Sequence, residues 1–305
     1  MHPAISVIFF TVISGVGYGL IALIGLGWQM HEGLLPVFLV SLLAGGLCAA
    51  GLVSSTFHLG HSERAWRAFS QWRSSWLSRE GVLAVVTLCL FGVYSLAWMF
   101  MDTRIPWLGY LVAALAALTV FATAMIYAQL KTVPSWHSKL TPVCYLAFSL
   151  ATALVLASAV GSARDILGLP VSIMAAIALI VAWVTKIMWW NRSLKIGFSE
   201  TGSNTGTATG LGHLGKVRLL EKPHSGENYL TKEMVHQIGR KHAAKLRIIA
   251  LVFGLAVPLI LCFLALSTGY VSMLMAIGFA SIITGLFSER WLFFAEAKHS
   301  VSLYY

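Results

Sequence analysis

The chain has 305 residues, of which 58% are hydrophobic and 10% are charged, and its formal net charge is +10. With a mean hydropathy of +0.81, this composition excludes an ordinary soluble domain. Apolar runs of about 20 residues recur, and each is long enough to cross a bilayer core of about 30 Å. Because these runs are continuous rather than alternating, they favour helices over a membrane β-barrel. The composition predicts an all-α, polytopic integral membrane protein.

Eight transmembrane helices are predicted, and together they form one membrane domain over residues 1–305. They cover residues 5–28, 34–57, 82–101, 106–128, 142–161, 170–190, 247–267 and 270–294. No Lys or Arg precedes the first apolar run, so we expect that segment to stay as a helix rather than to be a cleaved signal peptide. Within it, Gly15 and Gly19 form a G-x-x-x-G motif, which predicts close helix packing in lipid.

The polar stretch 54–81 is the first interruption of the apolar pattern. Its two titratable ends are His58 and Glu80, and between them lie Arg64, Arg67, Arg73 and Arg79. If its middle is helical, one face carries Trp66, Phe69, Trp72 and Trp76, as in a helix on a membrane surface. Ser78 is the predicted N-cap of the third span, and this places Glu80 in the first turn. A purely structural role for Glu80 at that helix end stays open beside a functional one.

The loop 129–141 is short and lies on the same side of the membrane as the stretch 54–81. Thr141 is the predicted N-cap of the fifth span, and Pro142 is the first helical position of that span. Tyr127 and Trp136 are typical of the aromatic belt at the lipid–water boundary.

The loop 191–246 is the longest polar segment. Its first half, 201–215, is rich in Gly, Thr and Ser and is predicted to be flexible. A G-x-G-x-x-G match at 210–215 follows no strand, so nucleotide binding is not expected. The second half, 231–246, predicts a cationic helix that would contact anionic lipid or a partner protein.

The basic residues predict the orientation. Of the 21 Lys and Arg residues, only Arg104 and Arg164 fall clearly on the side opposite the N-terminus. The others lie in the loops 58–81, 129–141 and 191–246, in the C-terminal tail, or at adjoining helix ends. By the positive-inside rule this side is the cytoplasm, with both termini inside. The positive charge thus indicates membrane topology, and no nucleic-acid partner is expected.

The residues that carry chemistry gather at this cytoplasmic boundary. Glu289, Arg290 and Lys186 lie slightly inside the membrane, where ionisable groups face a binding site or each other. No span carries a charge at its centre, which argues against an ion pathway. Such a one-sided site suits a quinone, because a histidine or a desolvated carboxyl group can exchange the protons that quinone chemistry needs. A secondary transporter stays open as an alternative of another class.

Metal cofactors are not expected in this chain. All ten histidines lie in loops or at span ends, so no pair is placed to ligate a haem inside the bilayer. The four cysteines fall inside predicted spans without a C-x-x-C motif, which predicts neither an iron–sulfur cluster nor a zinc site. They are Cys48, Cys89, Cys144 and Cys262.

Several ordered blocks resemble the membrane-anchor subunits of DMSO-reductase-type molybdoenzymes, which are haem-free proteins of eight helices. The blocks are Phe57-His58-Leu59-Gly60 with Arg64-Ala65, Leu77-Ser78-x-Glu80, Tyr127 with Thr132-Val133-Pro134-x-Trp136, Thr141-Pro142, and Arg290. In two places the chain departs from the family pattern. The usual Gly-Ser-Pro after His-Leu is Gly60-His61-Ser62 here, and the loop 191–246 is longer. That loop and the tail 289–299 are more similar to the branch that serves cytoplasmic sulfite dehydrogenases.

The resemblance implies a non-catalytic subunit that passes electrons between an iron–sulfur subunit and a quinone, ubiquinone or menaquinone. A molybdopterin subunit would oxidise sulfite to sulfate, or in the rival direction an S- or N-oxide would be reduced with quinol. The complex would lie in the bacterial inner membrane. His58 and Glu80 correspond to the family's quinol-binding residues. The supporting candidates are Arg64, Arg67, Tyr127, Trp136, Glu289 and Arg290. The candidates for docking the iron–sulfur subunit are Arg73, Arg79, Lys131, Arg240 and Lys241.

Overall fold

A computed structural model describes residues 4–28, 33–57, 61–161, 169–198, 202–221, 226 and 242–303. Within these ranges, eight helices are long and apolar enough to cross a membrane, which confirms the predicted all-helical architecture. They are α1 (Ile5–Gly25), α2 (Leu34–Thr56), α3 (Trp76–Met101), α4 (Pro106–Ala128), α5 (Leu140–Val160), α6 (Val171–Lys195), α7 (Ala243–Thr268) and α8 (Val271–Ala295).

Helix α1 is the centre of the bundle. It packs against α2, α4, α5 and α8, while α3 packs on α4, α6 on α5 and α7 on α8. Accordingly, 72% of the most apolar 18-residue stretch of α1 is buried inside the protein, compared with 28% of the corresponding stretches of α2 and α7. Small residues allow this packing, because a Cβ atom at Gly17 would collide with Cys48 and one at Gly19 with Ser149. The packing predicted for the G-x-x-x-G motif is therefore found at Gly19, whereas Gly15 faces open space.

Helix α7 contains a π-helical turn at Val252–Ala256. Pro258 follows this turn, and a proline inside a helix both lacks an N–H and clashes with the carbonyl four residues earlier. That carbonyl, on Gly254, accepts a hydrogen bond from the Trp183 indole at 2.8 Å, and the Phe253 carbonyl accepts one from the Ser281 hydroxyl at 2.8 Å. Side chains of α6 and α8 thus satisfy backbone groups that lipid could not.

Two helix starts differ from the predictions. Helix α3 begins at Trp76 with Ser75 at the N-cap, so Ser78 is not the cap and Glu80 lies beyond the first turn. Helix α5 begins at Leu140, which places Thr141 inside the helix rather than at its N-cap. Its hydroxyl donates instead to the Trp136 carbonyl at 2.8 Å. The same hydroxyl accepts a hydrogen bond from the Trp189 indole of α6 at 3.1 Å, so Thr141 connects two helices instead of capping one.

The segment between α2 and α3 is only partly helical. A 3₁₀ helix covers Ser62–Phe69, and turns follow until α3 begins. The condition of a helical middle is therefore met only over part of the segment, and Trp66, Phe69 and Trp72 are all exposed. In the long loop, a short helix at Thr205–Thr209 interrupts the segment predicted to be flexible. The predicted cationic helix 231–246 lies mostly outside the described residues.

Candidate functional site

Glu80 is buried between α3 and α4, with 5% of its surface exposed. The Thr123 hydroxyl donates a hydrogen bond to Glu80 Oε1 at 2.6 Å. Further into the membrane, the hydroxyls of Thr87 and Thr119 are 3.2 Å apart. Both pairs connect α3 with α4. Because the two helices run antiparallel, the later residue of α3 meets the earlier residue of α4. No basic side chain in the described part of the chain forms an ion pair with Glu80, so a single hydroxyl orients this carboxyl group.

An aromatic cluster lies beside Glu80, in the half of the bundle that carries the α2–α3 and α4–α5 loops. Tyr127 is at its centre, with ring centroids 5.3 Å from Trp136, 6.0 Å from Tyr145 and 5.6 Å from Phe293. The Trp136 ring stacks on Phe293 at 5.2 Å, and its indole donates to the Phe293 carbonyl at 2.8 Å. Trp136 is only 2% exposed. Its predicted position in the interfacial belt is therefore wrong, because it joins the loop 129–139 to α8 instead.

A buried ion cluster lies on the other flank of these rings. Lys186 Nζ is 2.5 Å from Glu289 Oε1, and Arg290 Nη1 is 3.4 Å from Glu289 Oε2. Lys186 also lies 3.8 Å from the centroid of the Trp189 ring. The three charged side chains are at most 4% exposed. Ionisable groups at this depth were expected to face either a binding site or each other. The structure shows that Lys186, Glu289 and Arg290 face each other.

Tyr127 and Tyr145 lie between the two sets of polar groups. Tyr127 follows Thr123 by about one turn of α4 and so lies on the face that contacts Glu80, and its ring stacks on that of Tyr145. The Arg290 guanidinium carbon is 3.7 Å from the centroid of the Tyr145 ring, and the Tyr145 hydroxyl has no hydrogen-bond partner in the described part of the chain. A cavity of about 10 Å³ adjoins Tyr145 and Arg290. This is about the space that one water molecule needs.

The arginines of the 61–79 segment lie away from this buried network. Arg64 is exposed and 3.7 Å from Glu63, and Arg67 lies over the Trp66 ring at 5.7 Å. Arg79 donates to the backbone carbonyls of Trp72 and Arg73 at 3.1 and 2.7 Å, and so holds the turn before α3. Arg73 and Lys131 are exposed, as a docking role requires. His58, Arg240 and Lys241 lie outside the described residues.

Thr123, Tyr145 and Lys186 belong to the polar groups described here but were not predicted as site residues. Thr123 gives no signal in the sequence, since a threonine inside an apolar helix is common and its partner lies on another helix. Lys186 does give a signal, because a lysine about 13 Å from the helix end at 1.5 Å per residue is costly without a partner. In the part of the chain that the structure describes, no three His, Cys, Asp or Glu residues gather as metal ligands.

Comparison with known proteins decides the family. The family model for the DMSO reductase anchor subunit (DmsC) matches residues 1–295. The chain belongs to the DmsC family. One relative of this DmsC-family chain is a sulfite dehydrogenase subunit of Allochromatium vinosum, which is 33% identical over 330 aligned positions. The alignment covers 100% of this chain and 99% of the relative. No solved structure matches.

Membership of the DmsC family confirms the resemblance drawn from the ordered sequence blocks. The matched region includes the whole aromatic cluster and the buried ion cluster, because both end within α8. The anchor role in the family's name agrees with a chain whose described residues form eight apolar helices.

Proposed function

We propose that this chain is the membrane-anchor, quinone-binding subunit of a molybdopterin and iron–sulfur oxidoreductase complex that oxidises sulfite. In the complete reaction, sulfite and water give sulfate, two protons and two electrons at the molybdopterin subunit. The electrons pass through the iron–sulfur subunit to a quinone, which takes up two protons to form quinol. The name of the relative, which this chain matches over its whole length, supports the choice of sulfite.

The buried carboxyl group of Glu80 is the observation on which the quinone site depends. It lies about 6 Å along α3 from the first helical residue, at 1.5 Å per residue, and only Thr123 donates to it. A buried carboxyl group without an ion-pair partner can take or give a proton at a quinone oxygen, provided that the oxygen comes within hydrogen-bond reach. The isoprenoid tail would then lie against the apolar surfaces of the helices.

His58 is proposed as the second proton-exchanging group. In the sequence it comes two residues after α2 ends, and Glu80 comes four residues after α3 begins, so we propose that the two groups serve the same site. An unperturbed imidazole titrates near neutral pH. The two groups together could serve the two proton transfers of quinone reduction. Tyr127, Tyr145 and Arg290 would polarise the inner wall of the site.

The proposed topology places both termini and the partner subunits in the cytoplasm of a bacterial cell, with this chain in the inner membrane. The excess of Lys and Arg on one side supports this orientation. The exposed Arg73 and Lys131 lie on that side, where they would meet the iron–sulfur subunit.

Glu80→Gln and His58→Ala in the assembled complex test the proposal. We expect sulfite-dependent reduction of a short-chain ubiquinone to fall by 10²-fold or more, as for loss of a positioned acid–base group. Sulfite oxidation with ferricyanide should persist, because ferricyanide takes electrons from the partner subunits. Glu63→Gln is the matched control, since the Glu63 carboxyl group is 65% exposed and pairs with His61 at 2.9 Å. Full quinone activity in both variants would refute the site.

The family name supports one alternative direction, in which quinol is oxidised and a sulfoxide is reduced. The site residues would be the same, with Glu80 accepting rather than donating a proton. The purified complex distinguishes the directions by turnover with sulfite and quinone, or with dimethyl sulfoxide and quinol.

A further inference from the structure

A second cavity lies on the opposite face of α4 from Glu80, and it belongs to neither polar network. This groove between α4 and α5 has a volume of about 800 Å³. Its apolar wall includes Phe121 and Met125 of α4. Thr123, which binds Glu80, is two positions from each of them and so points about 200° away around the helix at 100° per residue. The lining of the α4–α5 groove therefore includes neither Glu80 nor Thr123, although Phe121 also packs against Trp76 of α3.

The α4–α5 groove is apolar on the membrane side. Val143 and Leu146 of α5 face Phe121 and Met125 across it, and 47% of the Val143 surface is exposed. Leu146 is six residues inside α5, so the apolar wall extends about 9 Å into the membrane at 1.5 Å per residue. Such a wall at the surface of a membrane helix bundle contacts acyl chains.

The outer end of the groove is cationic. Lys139, at the N-cap of α5, and Arg192, near the end of α6, both line it, as does His137. Arg192 donates to the carbonyls of Pro134 and His137 at 3.3 and 2.9 Å. Because a guanidinium has five N–H donors, these two bonds hold its position and leave further donors for an anion. No acidic residue lines the groove in the described part of the chain.

We propose that the α4–α5 groove binds an anionic phospholipid, with its phosphate at Lys139 and Arg192 and its acyl chains against the apolar wall. Charge complementarity selects this occupant, since two cations lie at headgroup depth directly above a surface that suits hydrocarbon. Basic pockets between helices on the cytoplasmic side have this chemistry. The inference is independent of the proposed quinone chemistry, because the groove does not include Glu80.

Native mass spectrometry of the full chain, purified with its associated subunits in mild detergent, tests the proposal. The protein is stripped of lipid and titrated with dioleoyl phosphatidylglycerol or with dioleoyl phosphatidylcholine. We expect phosphatidylglycerol to bind at least tenfold more tightly. Lys139→Gln should weaken that binding about fivefold, from roughly 1 kcal/mol per basic residue at the surface. Val143→Trp should block it by filling the apolar wall. Lys195→Gln, an exposed cation outside the groove, is the control and should bind as the unchanged protein does.

Equal affinity for the two lipids would overturn the proposal, since it would indicate only ordinary lipid solvation. Unchanged phosphatidylglycerol binding by both Lys139→Gln and Val143→Trp would also overturn it. A third arm adds a short-chain ubiquinone. If the quinone displaces phosphatidylglycerol and Val143→Trp removes quinone binding, the groove is a quinone site and the lipid assignment is wrong.

Discussion

Glu289 should be the most sensitive residue of the buried ion cluster. Glu289→Gln keeps the size of the side chain but leaves Lys186 and Arg290 buried close together without a counter-charge. Removing one partner of a buried ion pair costs about 3–5 kcal/mol. By the scaling for domains of about 200 residues, this lowers Tm by roughly 6–20 °C. We expect Glu289→Gln to reach the upper half of this range, because two like charges remain.

The companion variant Lys186→Met should cost less. It leaves Glu289 with Arg290 as a counter-charge, and methionine can still pack on the Trp189 ring. The expected loss is roughly 1.5–3 kcal/mol, the value of a hydrogen bond to a charged group. In the double variant, the combined loss should fall short of the sum of the two single losses by about 0.5–3 kcal/mol, because the residues interact directly.

Thermal unfolding of the detergent-solubilised complex measures these differences through tryptophan fluorescence. Glu296→Gln is the matched control, since Glu296 pairs with Arg247 at 2.7 Å while both side chains stay partly exposed. Its cost should stay below about 1 kcal/mol. If Glu289→Gln unfolds at the same temperature as Glu296→Gln, or if the double variant is additive, the cluster is not held by mutual charge compensation.

Three further outcomes follow from the helix contacts. Thr123→Val removes the hydrogen bond that orients Glu80, and a loss of about 1.4 kcal/mol should lower quinone-linked turnover about tenfold. Thr123→Ser keeps the hydroxyl and should keep the turnover. Equal turnover by the two variants would contradict this role. Trp183→Phe should lower the free energy of unfolding by about 1–3 kcal/mol, because the Gly254 carbonyl loses its donor in a buried site; an unchanged unfolding midpoint would show that the donor is replaceable. Gly285→Leu should prevent α7 from packing on α8, since a Cβ atom at Gly285 already collides with Gly254, and protease protection of α7 in isolated membranes would report it.

The sequence predicts the number and type of helices well, because apolar length alone identifies a transmembrane segment. It also singles out Glu80 as a carboxyl group beside an apolar run, although a structural role at the helix end explains that position equally well. It does not predict the start of α3 correctly. Ser78 resembles a cap, but the helix begins earlier at Trp76, whose ring packs edge-on against Phe121 of α4 at 5.8 Å. The helix therefore begins about one turn earlier than predicted, and Glu80 lies in its second turn.

The partners of the polar groups could not be read from the sequence. Glu289 is more than 100 positions from Lys186 along the chain, and only the folded bundle brings them together. Trp136 shows the same difficulty for aromatic residues. A tryptophan near a span end suits the membrane interface or a buried cluster equally well, and the choice depends on Phe293 of α8. Local patterns report burial and depth, whereas pairings between helices require the three-dimensional arrangement.

The pairing of Lys186 with Glu289 has a consequence for biogenesis. Ribosomes deliver α6 to the membrane before α8, so until α8 is made the Lys186 ammonium lacks the Glu289 carboxylate that pairs with it. During this interval α6 carries an uncompensated cation at a depth that hydrocarbon disfavours. The last helix also closes against the first, since Phe287 meets Phe9 at 6.1 Å. A chain that stops before α8 therefore keeps an open seam along α1 and leaves Lys186 without its counter-charge.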